Sequence, residues 1–522
     1  MIETEKKIIE SKTVPPADNF CVVGVGASSG GLDAFKQLVK HIPVDSGLAF
    51  ILVQHLDPNH DSILVEIIRK ITLIPVHEIT NNLFIEPNHI YVIPSNTLLT
   101  ANDGVLNLAT RSASANDNSY TIDLFLISLA EIYQTQAIGV VLSGTGTDGT
   151  RGLSAIKKYG GITFAQKRET AAYPGMPESA IHANVVDFEL SPEDIIKNIL
   201  GVQQSILTSI PERVEPELKA QEILFAKILG MLDNRKGIDF TYYKQTTIRR
   251  RIARRMVLKN FSKIQDYVNH LEANGGELDL LFHDILIPVT EFFRDPAIFK
   301  FLRNTGLPAL MKSKVNNDAL RIWTVGCSTG QETFSLAMLL HEYFELHNQR
   351  VKIQIFATDI SDTAIARART GFYAFSEVEG ISQERLDKFF TKTESGYQIN
   401  KSIRDICVFA IHNMLTNPPF AGIDLISCRN VLIYMDAFLQ RKAMATFHYS
   451  LNEKGMLLLG RSESSGDSSD LFSSFSESDK VYTRNLVPGR YIHIAAKRRA
   501  EFLANGNGKP LHDERPKDDF QK

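Results

Sequence analysis

"VVGVGASSGG" (Val22–Gly31) decides the fold of the first half of the chain. A β-branched run ends in a turn of serines and glycines, and "GLDAFKQLVKHI" continues with apolar residues at helical spacing. Strand, tight turn and helix in that order are the grammar of a parallel α/β sheet. Strand-like runs "LAFILVQH", "AIGVVLSG" and "GITFAQ" recur to about Val202, separated by helical stretches such as "GTRGLSAIKKYG". A near-twin of the opening turn, "VGCSTGQE" (Val325–Glu332), stands in the second half. There "LRIWTVG", "KIQIFATD", "IDLISC" and "GMLLLG" again alternate with helical segments, while residues 220–300 between the halves read as helical. The expected fold class is α/β, with two parallel-sheet catalytic domains and a small all-α subdomain between them.

A chain of 522 residues is too long for one hydrophobic core and suggests about two to four domains. Hydrophobic content of 43% with 22% charged residues is a soluble globular profile, and a net charge of −3 gives no hint of a nucleic-acid partner. The cysteines, Cys21, Cys327, Cys407 and Cys428, are too scattered for a zinc site or a disulfide framework, so no metal is expected and a reducing cytoplasm fits. The N-terminus lacks an apolar signal core, and no apolar run approaches the ~20 residues of a membrane span.

These patterns divide the chain into a flexible lead (1–18), a first α/β domain (19–205), a Pro-rich charged linker (206–219), a helical subdomain (220–300), a second α/β domain (301–487) and a polar tail (488–522).

The strand after each glycine turn separates the twins. After the second turn, the strand "KIQIFATD" ends in Asp359, an acid placed to accept ribose hydroxyls at the carboxyl edge of a sheet. The pairing suits a nucleoside-containing cofactor, either a dinucleotide or S-adenosylmethionine, although G-x-G-x-x-G is missing. An ordinary strand–helix turn with a capping acid reads the same pattern. "CRNVLIYM" then brings Arg429, Asn430 and Tyr434 to the same edge, where polar groups can orient a substrate carboxylate.

After the first turn, the strand "LAFILVQH" ends in His55, not in an acid. The turn carries Ser28 and Ser29, and "AIGVVLSGTGTDG" supplies Asp148. Serine, histidine and aspartate at one rim are the minimum set for acyl transfer: a nucleophile, a proton shuttle and an orienting acid. The helix N-terminus after Ser28 would favour an oxyanion. The order Ser–His–Asp differs from that of α/β-hydrolases. A capping or packing role for His55 and a turn role for Asp148 remain open alternatives.

Between the halves, "TIRRRIARRMVLKN" (Thr247–Asn260) spaces Ile248, Ile252 and Met256 as an apolar stripe beside the rows Arg250/Arg254 and Arg251/Arg255. Such a run is usually a solvated face, and it lacks the aromatic interleaving of a nucleic-acid surface.

"VTEFFRDP", "GCSTGQE", "FATDIS", "HNML" and "CRNVLIYM", in that order over residues 222–486, resemble CheR-type chemotaxis receptor methyltransferases. The resemblance implies S-adenosylmethionine as methyl donor and a receptor glutamate as acceptor. It implies cofactor contacts at Thr290, Arg294, Glu332, Asp359, Asn413, Met414, Arg429 and Asn430. Arg294 and Tyr434 would lie near the transferred methyl, and Arg250, Arg251, Arg254 and Arg255 would dock an acidic receptor helix. Pro288 stands where the family commonly has asparagine.

"GVGASSGGLDA", "VQHLDP", "LSGTGTDGTRG" and "YPGMPESAI", over residues 20–200, resemble CheB-type receptor methylesterases. That resemblance makes Ser28 the nucleophile, His55 the general base and Asp148 the orienting acid, with the Thr145 backbone N–H in the oxyanion hole. It implies hydrolysis of glutamate γ-methyl esters and deamidation of glutamine. Asn116–Asp123 departs from the family's usual stretch, and too few residues precede Phe20 for a receiver domain, which needs upwards of about 50. The expectation is therefore a fused CheB/CheR enzyme without its own receiver, meeting the membrane only through the receptor. A signalling scaffold with one or neither half active is the competing class.

Overall fold

The computed structural model describes residues 20–54, 64–102, 104–110, 120–208, 215–286, 290–313, 319–466 and 468–487. The lead, the tail, His55, Pro288 and most of the departing stretch before Asp123 lie outside these residues.

The first half is built on a seven-stranded sheet in the spatial order Phe188–Leu190, Ile162–Gln166, Ala137–Val141, Val22–Ala27, Ala49–Gln54, His89–Val92, Val76–Glu78. Every neighbouring pair is parallel. Val22–Ala27 is buried on both faces, as a central parallel strand must be when helices cover both sides. The chain runs outward from this strand in one direction and later returns to run outward in the other. Its neighbours are Ala49–Gln54 and Ala137–Val141, so the topological switch lies between Val22–Ala27 and Ala137–Val141. Ligands of open α/β sheets bind at such a switch, outside the carboxyl ends of the strands.

The second half repeats the plan. Its sheet runs Cys407–Ile411, Ile353–Asp359, Leu320–Val325, Ile423–Cys428, Leu451–Leu459, Val481–Arg484, Phe472–Ser476. The first five strands are parallel; Val481–Arg484 then pairs antiparallel with Leu451–Leu459, and Phe472–Ser476 antiparallel with Val481–Arg484. Here the switch falls between Leu320–Val325 and Ile423–Cys428. Trp323 is fully buried on the central strand and donates its indole N–H to Thr358 Oγ1 at 2.9 Å, which satisfies a polar atom inside an apolar core.

The segment between the sheets is helical, with Glu215–Lys236, Gln245–Leu258, Ile264–Ala273 and Gly275–Leu286 packed around Phe240, Tyr267 and Leu281. Glu215–Lys236 begins inside the stretch read as a linker. Pro216 falls in its first turn, where the missing N–H has no intrahelical partner to lose. Two three-stranded antiparallel sheets, over residues 83–110 and 372–399, were not foreseen from the sequence. Among the described residues, no helix is long and apolar enough to cross a membrane.

Candidate active sites

Ser28 is the first residue past the central strand of the first sheet. Its N–H donates to the Ser143 carbonyl at 2.9 Å, and its own carbonyl accepts from Gly31 at 2.8 Å. Ser143 fixes the turn from the far side: its hydroxyl donates to the Ser29 carbonyl at 2.9 Å and accepts from the Tyr173 N–H at 2.9 Å. Gly30 has φ +72°, and a Cβ there would come within 2.8 Å of Ser143 Oγ, so the turn closes only around glycine. The helix Gly31–Val39 starts immediately after it.

Asp148 is buried, 3% exposed, in the loop across the switch. Its carboxylate accepts backbone N–H bonds from Ile122 (2.9 Å), Asp123 (2.8 Å) and Gly149 (2.9 Å). It therefore pins the start of the helix Thr121–Tyr133 as well as its own turn. Asp123 sits beside it, and burial together with the Asp148 carboxylate pushes the Asp123 carboxyl up to about 7. Thr145 is exposed on the same loop, against the start of the helix Gly175–His182. The strand Ala49–Gln54 ends one residue before His55, which lies outside the described residues.

The second turn is held differently. Cys327 N–H donates to the Thr358 carbonyl at 2.9 Å and Ser328 N–H to Asp359 at 2.8 Å, so its bonds run to the following strand. Gly326 has φ +64° and Ser328 φ +50°. A Cβ on Gly326 would meet Val431 at 2.5 Å. Across the switch the link is through side chains: Glu332 accepts from Ser427 Oγ at 2.9 Å and from Arg429 at 2.7 Å. Arg429 also donates to Asp295 (2.7 Å) and to the Arg294 carbonyl (2.8 Å), and its side chain is 3% exposed.

Between these groups opens a cavity of about 550 Å³. Thr290, Arg294, Glu332, Asp359, Asn413, Met414, Arg429, Asn430 and Tyr434, which the sequence scatters over some 145 residues, all line it. Arg429 spends its donors on the protein and so shapes the wall. Burial pushes the Asp359 carboxyl up, opposed by the N–H groups of Ser361, Ser328 and Ile360. The chain's residues fit S-adenosylmethionine: Ser328 Oγ and His412 Nδ1 line the cavity, buried and without a partner among the described residues. Asp359 keeps acceptor capacity for a hydroxyl, since a carboxylate has about four acceptor sites.

Sequence reasoning missed Glu463. Its carboxylate, 5% exposed, accepts from the N–H groups of Asn430 (2.9 Å), Val431 (2.8 Å), Leu432 (2.8 Å) and Gly460 (2.7 Å). One acid thus shapes the whole loop that carries Asn430 and Tyr434. Nothing in "GRSESS" marks it locally, because its partners lie some thirty residues upstream.

The arginine rows are a correction. Arg251 and Arg254 are 2% and 3% exposed, so half of the expected docking face is closed to an outside helix. Arg254 lies between Asp187 of the first domain and Asp284 of its own, which raise its pKa against the cost of burial. Arg255 pairs with Glu277 at 2.8 Å, and Arg250 lies over Gly160. The physical reason is cation pairing: the first half offers Asp187 and the carbonyls at the end of the helix Thr150–Tyr159. A second contact brings Glu379 against the first site's loop, accepting from Thr147 Oγ1 at 2.5 Å and from the Tyr120 hydroxyl at 3.2 Å. Among the described residues, no group of His, Cys, Asp and Glu is arranged to hold a metal ion.

Fold and sites define a two-part protein: a serine-bearing α/β unit followed by an α/β methyltransferase with its helical subdomain. Family models match consecutive stretches, namely CheB methylesterase over residues 23–199, the CheR methyltransferase all-alpha domain over 223–286 and the CheR methyltransferase SAM binding domain over 288–481. The chemotaxis protein methyltransferase of Borreliella burgdorferi is 31% identical over 245 residues, 46% of this chain and 87% of that one. The "Uncharacterized 104.1 kDa protein in hypE 3'region" of Rhodobacter capsulatus is 33% identical over 448 residues, 82% of this chain; the chain spans 46% of that relative's length. The Thermotoga maritima CheB methylesterase catalytic domain aligns at TM-score 0.33 and 28% identity, covering 35% of this chain and 97% of that structure. The chain belongs to the chemotaxis protein methyltransferase family: it carries both CheR domains, preceded by a CheB methylesterase domain, and its cofactor is S-adenosylmethionine.

Proposed function

We propose that both halves are active and act in opposition on one class of substrate, the glutamates of a chemotaxis receptor's cytoplasmic domain. The observation that carries this reading is the placement of a functional turn at each topological switch: Ser28 beside the Asp148 loop, and Gly326 above a cavity lined by every expected cofactor contact.

In the first half, Ser28 Oγ attacks the carbonyl of a glutamate γ-methyl ester, His55 takes its proton and passes it to the departing methanol, and water then releases the carboxylate. Asp148 fixes the turn and orients the imidazole. The Thr145 N–H and the N-terminus of Gly31–Val39 stabilise the oxyanion. The same steps with ammonia as leaving group deamidate glutamine.

In the second half, S-adenosylmethionine supplies a methyl carried on a cationic sulfur. A carboxylate is already nucleophilic, so the protein's work is alignment and exclusion of water. Thr290, Asp359, Asn413, Met414 and Asn430 hold the donor. Glu332 and Arg429 keep the wall in place, and Arg294 with Tyr434 lie at the reacting end. Burial pushes the Tyr434 hydroxyl's pKa up, so it remains a neutral donor at physiological pH.

The test is incubation of the full chain with a receptor cytoplasmic fragment and methyl-labelled S-adenosylmethionine, with peptide mass spectrometry and assay of released methanol as readouts. Label on glutamate, and methanol release that depends on Ser28, are the expected results. Absence of both leaves only a scaffold.

A further inference from the structure

The methyltransferase cavity is not walled by the methyltransferase alone. Ser154, Lys157 and Lys158 of the esterase helix Thr150–Tyr159, with Asn184 and Asp187, form one side of it. This wall is fastened. Arg251 donates to the carbonyls of Lys157 (2.5 Å) and Lys158, and Arg254 donates to the Gly161 carbonyl at 3.2 Å. These acceptors lie at the helix C-terminus, where carbonyls lack intrahelical donors and a cation is favoured.

The charges along the wall do not balance. Lys157 pairs with Asp187 at 3.3 Å, Arg254 with Asp187 and Asp284, and Arg255 with Glu277. Lys158 and Arg251 make no ion pair among the described residues. Arg251 Nε is buried without a hydrogen-bond partner among the described residues. Burial lowers the Lys158 pKa and nearby Arg294 lowers it further, against the pull of Glu131 and Glu291. Cations facing one another across a cavity call for an anion between them, and a bound sulfonium donor adds one more positive charge.

We propose that Lys158, a residue of the esterase half, binds the carboxylate of the acceptor glutamate in the methyltransferase cavity, with Arg251 behind it. The assignment rests on the reading of this cavity as the methyl-transfer site. It makes the acceptor pocket a product of the fusion, completed by a helix from the opposing enzyme. Lys158 lies at the far end of its helix from the Asp148 turn, so ester hydrolysis does not depend on it.

The test uses the full chain, a purified cytoplasmic fragment of a methyl-accepting receptor and labelled S-adenosylmethionine. Lys158→Gln is expected to raise KM for the fragment about tenfold or more, in line with loss of a charge-assisted contact, while kcat and donor affinity by calorimetry stay within about threefold. Lys158→Arg is expected to recover most of the loss, and Ser28-dependent methanol release is expected to stay unchanged in both. An unchanged KM in Lys158→Gln, or faster methylation by it, overturns the assignment alone. Failure of the wild-type chain to transfer any methyl overturns the functional reading and this assignment together.

Discussion

The Ser28 turn and the Gly326 turn occupy the same place in two similar sheets, yet they are anchored on opposite sides. The Ser28 turn is stitched across the switch by a backbone bond, Ser28 N–H to the Ser143 carbonyl, which the Ser143 hydroxyl reinforces by donating to the Ser29 carbonyl. The Gly326 turn bonds to the strand on its other flank, at Thr358 and Asp359, and beyond the paired strands the links across its switch among the described residues are side-chain ones, from Ser427 and Arg429 to Glu332. A covalent nucleophile must be fixed to a fraction of an ångström, and backbone bonds do that. A cofactor needs an open crevice, and leaving the switch unstitched provides one. On the proposed function, similar glycine patterns encode opposite uses of the same topological position.

The sharpest way to break this comparison is to remove the serine of each turn. Ser28→Ala is expected to cut methanol release about 10⁴-fold, about 5.4 kcal/mol in barrier height, with donor binding untouched. Ser328→Ala is expected to change donor affinity by less than about fivefold and to leave hydrolysis alone. Loss of hydrolysis in Ser328→Ala, or its survival in Ser28→Ala, makes the two turns equivalent and ends the distinction.

Next in size is the joint between the halves. Arg254 has a 1% exposed side chain and holds Asp187 and Asp284 together. Arg254→Ala leaves Asp284 buried without its cation and Asp187 with Lys157 alone, which costs about 3–5 kcal/mol. A lowered first midpoint in chemical denaturation, with the halves unfolding separately, is the expected outcome. An unchanged midpoint means the two sheets are not mechanically joined there.

Asp359 is the counterpart of Ser143 as anchor of its turn, and Asp359→Asn tests whether it also holds the donor. Asparagine keeps one acceptor oxygen and replaces the other with an amide that faces the Ser328 or Ser361 N–H. Donor affinity is expected to fall about 10–100-fold, the range for a hydrogen bond to a charged group, with methanol release unaffected. Calorimetry on the full chain reads this directly.

The twin turns also mark how far the sequence can be read. The strands flanking Ser28 and Gly326 were legible because buried parallel strands are short apolar runs punctuated by glycine. The cavity residues were reached through family motifs, since Thr290 and Tyr434 carry no local signal of being neighbours. Arg251 and Arg254 were misjudged because a helical wheel shows which face a residue lies on, not what that face meets. Their partners, Asp187 and the carbonyls of Lys157, Lys158 and Gly161, lie 67 to 94 residues upstream. Glu463 was invisible for the same reason: a buried carboxylate that caps a distant loop looks like any surface glutamate until the chain is folded.

The smallest effect concerns the acids beside the two turns. Asp359 stands alone with its backbone donors, whereas Asp148 has Asp123 as neighbour, and Asp123 accepts from the Gly152 N–H at 2.7 Å. The Asp123 carboxyl is raised to about 7 against 3.8 for an ordinary aspartate. The native chain therefore holds this proton more tightly than the unfolded chain does. Protonated Asp123 costs nothing near pH 4; as pH rises from about 4 to 7 the unfolded chain ionises freely and the native state loses stability, and above 7 the loss is complete. Asp123→Asn is neutral throughout and escapes that loss, at the cost of a weaker bond from Gly152 of about 1 kcal/mol. Its Tm is expected to lie at or below wild type at pH 4.5 and a few degrees above it at pH 8. Parallel Tm curves across that range mean that Asp123 does not share the charge burden of the Asp148 turn. The two turns then do not differ in the charge carried beside their anchoring acids.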